Sequence, residues 1–322
     1  MIIVKPSATH MEHNVSPYEF IEKVGRICYK STDKITEGSA EKFVASLVKS
    51  KHMAMLEHET LYFITTEDFM KGLFREAFEL GNEHLKFFNV TRDSKTRECV
   101  ISGSFRSFYD LFERGIESDY YISKMQGILK KEFPLVFGEY ELPRKFEYVT
   151  DCILLSRTEF IFRYEDRPEV LSKHLTHTFL FVCDRGVSHE FVRHRVCAFA
   201  QESTRYCNYS KDKFGGQITV IEPCFFEEGS PTYGSWWSAI MVSETAYFDL
   251  LKNGATPQEA RSVLPNSLKT ELVITATEEE WQHIVNLRYK GTTGAPHPQM
   301  KEVMSLAVED LRKESGGRVE YR

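Results

Sequence analysis

Residues 193–210 read RHRVCAFAQESTRYCNYS and are the most informative stretch of this chain. From Arg185 to Arg205 the sequence holds four arginines against two carboxylates, in a protein whose formal net charge is −6. The planar fork of N–H donors on arginine matches the oxygens of a phosphate group. Neutral donors stand beside these arginines: Gln201, Ser203 and Thr204. The stretch therefore predicts a site for a small phosphorylated molecule.

The composition is that of an ordinary globular protein and excludes several classes of function. At 322 residues, with 42% hydrophobic and 27% charged residues, the chain can bury a large core in one or two domains. Its negative charge argues against general nucleic-acid binding. No apolar run is long enough to span a membrane, and the beginning, MIIVKPSATH, lacks the layout of a signal peptide. Seven scattered cysteines without a CxxC pair indicate a reduced, cytoplasmic protein.

Helix-start signals and apolar patterns organise the chain. Ser16-Pro17 with Glu19 predicts a helix towards Tyr29. Further helices are predicted at 39–48, 69–80, 105–114, 120–133 and 236–251, with short ones opening at Thr256 and Thr277. Strands are predicted at 60–64, 177–183 and 217–221, with a strand-rich part over 146–164. No internal repeat is recognised, and the mixed order of elements predicts an α+β fold with a mixed sheet.

Residues 193–195 (RHR), which we call the arginine triplet, are predicted to lie on a helix. Val192, Val196 and Phe199 are spaced at i, i+4 and i+7, which is typical of a helix face that packs inward. On such a helix Arg193 and Arg195 would point in different directions. They would then reach different parts of a ligand, or different subunits.

The spacing of RHR, Ser203 and Arg205-Tyr206 resembles the motif of the flavin-dependent thymidylate synthases. Three other segments resemble elements of that family, in the same order: 52–58 (HMAMLEH), 260–265 (ARSVLP), and 286–288 (NLR) with 297–299 (HPQ). Residues 1–66 and 174–322 are therefore expected to form the catalytic core of that fold. Residues 67–173 are expected to be an inserted α/β segment whose role the sequence does not give.

The resemblance implies a methyltransferase that converts dUMP to dTMP at uracil C5, with FAD as cofactor and methylenetetrahydrofolate and NADPH as co-substrates. Arg288 would be catalytic, because a fixed cation stabilises the deprotonated pyrimidine. Residues expected to bind dUMP are Glu190, Arg193, Gln201, Glu202, Ser203, Thr204, Arg205, Arg261 and Arg288. Residues expected to bind FAD are His52, Ala54, Arg193, His194, Arg195, Gln201, Thr277, Glu279, His283 and His297. The family implies a homotetramer with shared active sites and small-molecule partners only, without nucleic acid or membrane.

The same residues allow other interpretations. His189 to His194 nearly spells the zinc motif HExxH, but the histidines are five positions apart and would not share one helix face, so no metal is predicted. Cys197 or Cys207 could be a nucleophile, although buried cysteine more often serves as a small hydrophobe. Two other classes stay open: a catalytically inactive nucleotide-binding regulator on the same fold, and a nucleic-acid-binding module that uses the arginines.

Overall fold

The computed structural model describes residues 1–79, 86–114, 120–139, 151–205, 207–211 and 215–321. The strands are β1 Ile2–Val4, β2 Ser7–His10, β3 Thr60–Thr66, β4 Asn89–Arg92, β5 Glu98–Ser104, β6 Cys152–Leu155, β7 Thr176–Asp184, β8 Ala198–Gln201, β9 Thr219–Ile221 and β10 Lys269–Thr277. The helices are α1 Pro17–Cys28, α2 Ser39–Lys49, α3 Glu67–Glu79, α4 Phe105–Arg114, α5 Tyr121–Glu132, α6 Pro134–Phe137, α7 Arg157–Arg163, α8 Pro168–His174, α9 Arg185–Phe191, α10 Pro231–Lys252, α11 Pro257–Ala260, α12 Glu278–Val285, α13 Pro298–Ser305 and α14 Val308–Glu314. A 3-10 turn spans Met53–His58, and a π-helical turn spans Asn286–Lys290.

Two four-stranded antiparallel sheets organise these elements. One has the order β2-β7-β10-β8, and the other has the order β4-β5-β3-β6. Strands β1 and β9 pair in parallel as a separate ribbon. The predicted α+β class is confirmed, while the two large sheets are antiparallel throughout their described strands.

The sheet that contains β7 and β10 is buried on both faces. On one face Phe179 and Phe181 pack against Trp281 of α12, all three fully buried. On the other face Val273 and Ala200 join the cluster formed by α1, α2 and the 3-10 turn. Burial on both faces explains the apolar, β-branched and aromatic composition of β7 and β10. The strands are thus a rigid base for the loops that leave their ends.

The helix starts follow the capping signals closely. Ser16 and Thr256 each form a complete capping box, with Glu19 and Glu259 respectively. The α2 helix begins at Ser39 itself, with Gly38 in the capping position. The side-chain oxygens of Ser16 and Thr256 satisfy N–H groups that the first turn of a helix leaves free.

In the middle of the chain one predicted element is wrong, and the strand pairing bears on the expected domain division. Within the part predicted to be strand-rich, 146–164, residues Arg157–Arg163 form α7, because Ser156 and Glu159 build a capping box there; residues 146–150 lie outside the described residues. Strand β3 belongs to the expected core, but it pairs with β5 and β6, which lie in the segment 67–173. That segment therefore shares a sheet with residues 60–66.

The described helices include none that is both long and apolar enough to cross a membrane. Six of the seven cysteines are buried. Burial raises the pKa of the Cys197 thiol, which disfavours the thiolate that a nucleophile needs.

Candidate active site

The arginine triplet lies on a turn between α9 and β8. The α9 helix is capped by Asp184, whose carboxylate accepts from the Val187 N–H at 2.7 Å, and it ends at Phe191. The predicted helix through Phe199 is therefore wrong. The side chain of Val196 is 75% exposed, because the chain changes there from helical to strand periodicity. Arg193 and Arg195 are exposed and His194 is buried.

His194 and Arg288 meet within one chain, although 94 positions separate them. The Nε of Arg288 donates to Nε2 of His194 at 3.2 Å. Its two terminal nitrogens donate to Glu190, one to the carboxylate at 2.8 Å and one to the backbone carbonyl at 3.1 Å. A guanidinium carries five N–H donors, so two of them are left for a ligand.

The second ring nitrogen of His194 faces Glu280. His194 Nδ1 lies 3.3 Å from a carboxylate oxygen of Glu280. Arg288 can only donate a hydrogen bond, so Nε2 of His194 is the acceptor. The ring proton is then on Nδ1, and this N–H donates a hydrogen bond to the Glu280 carboxylate. The His283 ring lies beside this pair, with its centroid 5.6 Å from that of His194.

The side chains of His194, Glu280 and His283 also form a group whose ligand atoms lie within 4.8 Å of one another. Such a set could hold a metal ion in principle. The guanidinium of Arg288, which is bonded to the Nε2 of His194, lies close to this group and would repel a cation there.

Gln201 ends β8 and is held by the neighbouring strand and helix. Its amide nitrogen donates to Ser188 Oγ at 2.9 Å and to Thr270 Oγ1 at 3.2 Å. Arg185 reaches the same place, donating to the carbonyl of Glu202 at 3.2 Å and to Thr270 at 3.3 Å. Gln201 and Arg185 therefore fix the path of the chain as it enters the turn that begins at Glu202.

The expected phosphate-binding residues come together in this turn. A terminal nitrogen of Arg261, at the start of a 3-10 turn after α11, donates to Thr204 Oγ1 at 3.4 Å. The Ser203 hydroxyl accepts from the Arg205 N–H at 3.4 Å. Arg205 and Arg261 are both exposed. The Arg261 guanidinium and two hydroxyls thus lie at one short turn that also carries Arg205, which suits a phosphate. Tyr206 lies outside the described residues.

Sequence reasoning missed a cluster of charges beneath that turn. The buried carboxylate of Glu202 lies 3.2 Å from the ammonium of Lys269 and 3.5 Å from that of Lys30. Both lysines also contact Glu271. Burial alone would lower the pKa of Lys269, but attraction to Glu202 and the hydrogen bond to Glu271 outweigh it and raise that pKa. No local motif predicts that Lys30 belongs to this cluster, because it lies on a turn after α1, far from Glu202 in the sequence.

The 297–299 motif contacts the residue that caps α9. The Gln299 amide donates to Asp184, the residue that caps α9, at 2.8 Å. His297 caps α13 and lies near Phe225, with ring centroids 5.6 Å apart. Its helix packs on the turn that carries Arg288.

Four other expected flavin residues lie away from the triplet or have another partner. His52 contacts the Tyr29 hydroxyl at 3.1 Å, and Ala54 is exposed on the 3-10 turn that packs against β8. Thr277 caps α12 by accepting from the Glu280 N–H, and Glu279 is exposed on the first turn of that helix. Their expected contact with FAD stays a prediction.

Comparison with known proteins gives the same family as the motifs. Residues 161–315 match the model of the thymidylate synthase complementing protein family. A flavin-dependent thymidylate synthase of Geobacter sulfurreducens is 31% identical over 138 residues, which are 41% of this chain and 53% of that protein. The corresponding protein of Pyrococcus abyssi is 29% identical over 121 residues, 37% of this chain and 49% of its own length.

The chain spans about half the length of the curated relatives that it matches. Among solved structures, a UMP/dUMP methylase PolB from Streptomyces cacaoi, bound with 5-Br dUMP, covers 99% of both chains at 14% identity and a TM-score of 0.41. The resemblance that the motifs indicated is confirmed: residues 161–315 match that family model, and part of this chain is similar to flavin-dependent thymidylate synthases.

Proposed function

We propose that the chain is an FAD-dependent methyltransferase that converts dUMP to dTMP, with methylenetetrahydrofolate as carbon donor and NADPH as reductant. The observation that carries the proposal is the contact of Arg288 with His194 and Glu190. It joins the expected activating cation to the arginine triplet within one chain. The family relationship supports the same reaction class.

Arg288 would activate the pyrimidine by electrostatics. Carbon C5 of uracil is a weak nucleophile, and it becomes stronger when N3 loses its proton and charge spreads over the ring. Arg288 is held in place by Glu190 and His194 and keeps two N–H donors free. A cation that is already oriented stabilises the developing negative charge without reorganisation.

The turn around Ser203 would hold the nucleotide phosphate. Arg205 and Arg261 supply the charge, and the Ser203 and Thr204 hydroxyls supply neutral donors. Gln201 and Glu190 would contact the base or sugar edges. Each charge-assisted hydrogen bond to phosphate contributes about 1.5–3 kcal/mol.

The donor set beside His194 fits a flavin nucleotide. Exposed Arg193 and Arg195 suit its pyrophosphate, and the adjacent His194 and His283 rings offer flat polar edges to a heterocycle. A flavin supplies hydride chemistry when it is bound. The chain's own residues would hold it and place its ring near Arg288.

The assembly implied by the family, a homotetramer with shared sites, is part of this proposal. Trp237 and Val242 on α10 are 43% and 69% exposed, and Val196 beside the triplet is 75% exposed. Light scattering after gel filtration counts the chains.

The visible absorption spectrum of the purified protein tests the proposal first. After incubation with FAD and gel filtration, we expect one oxidised flavin per site and a shift of its band on adding dUMP. Formation of dTMP with methylenetetrahydrofolate and NADPH completes the test. A protein that binds dUMP but retains no flavin would instead be the nucleotide-binding regulator.

A further inference from the structure

The two four-stranded sheets share one topology. In the order β4-β5-β3-β6 and the order β8-β10-β7-β2, every neighbouring pair is antiparallel. Strand β3 corresponds to β7, β5 to β10, β4 to β8, and β6 to β2. A helix follows each of β3, β7, β5 and β10. Such a match over four strands and their helices points to two copies of one unit.

The registers and the sequences of these strands agree with that match. Thr60 at the start of β3 pairs with Ser104 at the end of β5, and Thr176 at the start of β7 pairs with Thr277 at the end of β10. Aligned by these pairs, β5 reads ECVISGS and the last seven residues of β10 read ELVITAT. Three positions are identical and two others keep a hydroxyl. Residues 58–60 (HET) and 174–176 (HLT) align in the same way.

Contacts between the two copies are reciprocal. His58, two residues before β3, contacts Thr275 Oγ1 of β10 at 2.8 Å through Nδ1. His174, two residues before β7, contacts Ser102 Oγ of β5 at 2.8 Å through the same ring nitrogen. Ser102 and Thr275 occupy equivalent places in the two registers. The two copies are therefore related by a two-fold axis.

That axis passes near Thr60 and Thr176. Their hydroxyl oxygens lie 3.3 Å apart, as expected for equivalent residues that face each other across a two-fold axis. The backbone N–H of Phe105 donates to Glu59, and that of Glu278 donates to Leu175, both at 3.1 Å. These two bonds are again equivalent, one in each copy.

Each copy gives its first strand to the other copy's sheet. In the chain β2 precedes α1, α2 and β3, yet it pairs with β7. Strand β6 precedes α7, α8 and β7, yet it pairs with β3. The helices follow their strands: α7 and α8 pack on Ile64 and Val100 of the first sheet, and α1 packs with Val273 of the second. The two copies are thus interlocked.

Ion pairs between the two copies follow the same pattern as the exchanged strands. Glu98 at the start of β5 pairs with Arg163 of α7 at 2.6 Å, and the equivalent Glu271 of β10 pairs with Lys30 after α1. Asp93 after β4 pairs with Arg167 at 2.5 Å. Its equivalent Glu202, after β8, lies 3.5 Å from the same Lys30. In every case a cation of one copy holds an acid of the other.

The largest difference between the copies lies in the connection that precedes the last strand. Residues 93–97 alone join β4 to β5, whereas residues 202–268 join β8 to β10. The longer connection carries Ser203, Thr204, Arg205 and Arg261. The expected phosphate site therefore belongs to an elaboration of the second copy.

We propose that the chain is a tandem duplication in which residues 7–114 and 152–290 are diverged copies of one unit. The second copy binds the nucleotide, and the first copy acts as its permanent partner and positions that site through Lys30. Lys30 is a positioning residue, because it holds Glu202 directly before Ser203. Residues 67–173 are then the end of one copy and the beginning of the next, not an insertion. The statement about the nucleotide rests on the proposed function.

Calorimetric titration of the FAD-loaded protein with dUMP tests the number of sites. We expect one dUMP per chain, and two per chain would overturn the proposal. Lys30→Met should raise the dissociation constant of dUMP about tenfold, because Glu202 loses one of its two cations and no longer holds the turn before Ser203 in place. Lys30→Arg should restore it to within about twofold. The matched variant Arg163→Met removes the equivalent contact of the first sheet and should leave dUMP affinity unchanged. Equal effects of Lys30→Met and Arg163→Met would refute the positioning role.

A disulfide across the axis tests the duplication without any ligand. In the variant Thr60→Cys/Thr176→Cys, mild oxidation should link the two positions within one chain, found as a crosslinked peptide by mass spectrometry. Linkage only between chains would overturn the two-fold arrangement. If no dUMP binds but the intrachain link forms, the proposed function fails while the duplication stands.

Discussion

Arg288 donates from Nε to Nε2 of His194 over 3.2 Å, so one residue of the arginine triplet orients the expected activating cation directly. The bond also fixes the ring proton of His194 on the side of Glu280. Removing the guanidinium frees both His194 and Glu190 while leaving the buried sheet untouched. A substitution of Arg288 can therefore change the reaction without unfolding the protein.

We expect Arg288→Ala to reduce dTMP formation by at least about 10²-fold, as for the loss of one preorganised donor to a developing anion. The variant should stay folded and retain FAD. Lys290→Ala removes an exposed cation from the same turn and is the matched control. Unchanged turnover of Arg288→Ala in a single-turnover assay would contradict the activating role.

Arg261 is predicted to bind the phosphate group of dUMP. Arg261→Ala should weaken dUMP binding by about 10- to 100-fold, since one charge-assisted contact contributes roughly 1.5–3 kcal/mol. Deoxyuridine lacks the phosphate and serves as the control ligand, so its weaker affinity should not change. Equal losses for both ligands in calorimetric titration would place Arg261 elsewhere in the site.

Motif spacing selected side chains that lie together in the structure, but it did not predict the backbone that carries them. Arginine, serine and glutamine at 193–205 have a chemistry that motif spacing reveals, and the structure brings Arg288, His194 and Glu190 together. Val192 and Val196 suggested a helix, but their apolar spacing has no partner surface, and both side chains are largely exposed. Apolar spacing alone cannot distinguish a buried helix face from a turn.

The contribution of Lys30 could not be predicted from local patterns. Its contacts with Glu202 and Glu271 depend on how α1 packs against the sheet of β8 and β10. The repeat was also missed, because strong identity is confined to short strands such as 98–104 and 271–277. Strand pairing makes the relationship visible, since it aligns residues that the connections of unequal length displace.

Glu59 makes the stability of the fold depend on pH. Burial raises the pKa of this carboxyl to about 8, and its oxygen lies 3.3 Å from Nδ1 of His13. Because the pKa in the folded state exceeds the unfolded value, the stabilising contribution is complete at acid pH and is lost as pH rises through about 8. The loss is on the order of 4 kcal/mol.

We therefore expect Glu59→Gln to flatten the decline in the free energy of unfolding between pH 5 and about 9, as measured by urea titration. The exposed Glu41→Gln is the control and should keep the wild-type decline. A Glu59→Gln profile parallel to that of the wild type would show that this carboxyl does not control the pH dependence.

The histidines of the two-fold axis predict a matched sensitivity to acid. Burial lowers the pKa of His58 and of His174 to about 3, and the Nδ1 of each ring contacts a hydroxyl at 2.8 Å. The Nε2 of His174 also contacts Thr91 Oγ1 at 2.9 Å. Since both folded-state pKa values lie below the unfolded value, the contribution of these histidines to stability is present above about pH 6.5 and is lost as pH falls towards 3.

Glutamine keeps a hydrogen-bonding group but does not titrate, so His58→Gln and His174→Gln should each reduce the acid sensitivity of unfolding by a similar amount. The double variant should lose the sum of the two, because the sites share no partner. Urea titrations at pH 7, 6 and 5 measure this, and a loss confined to one histidine would show that the two contacts are not equivalent.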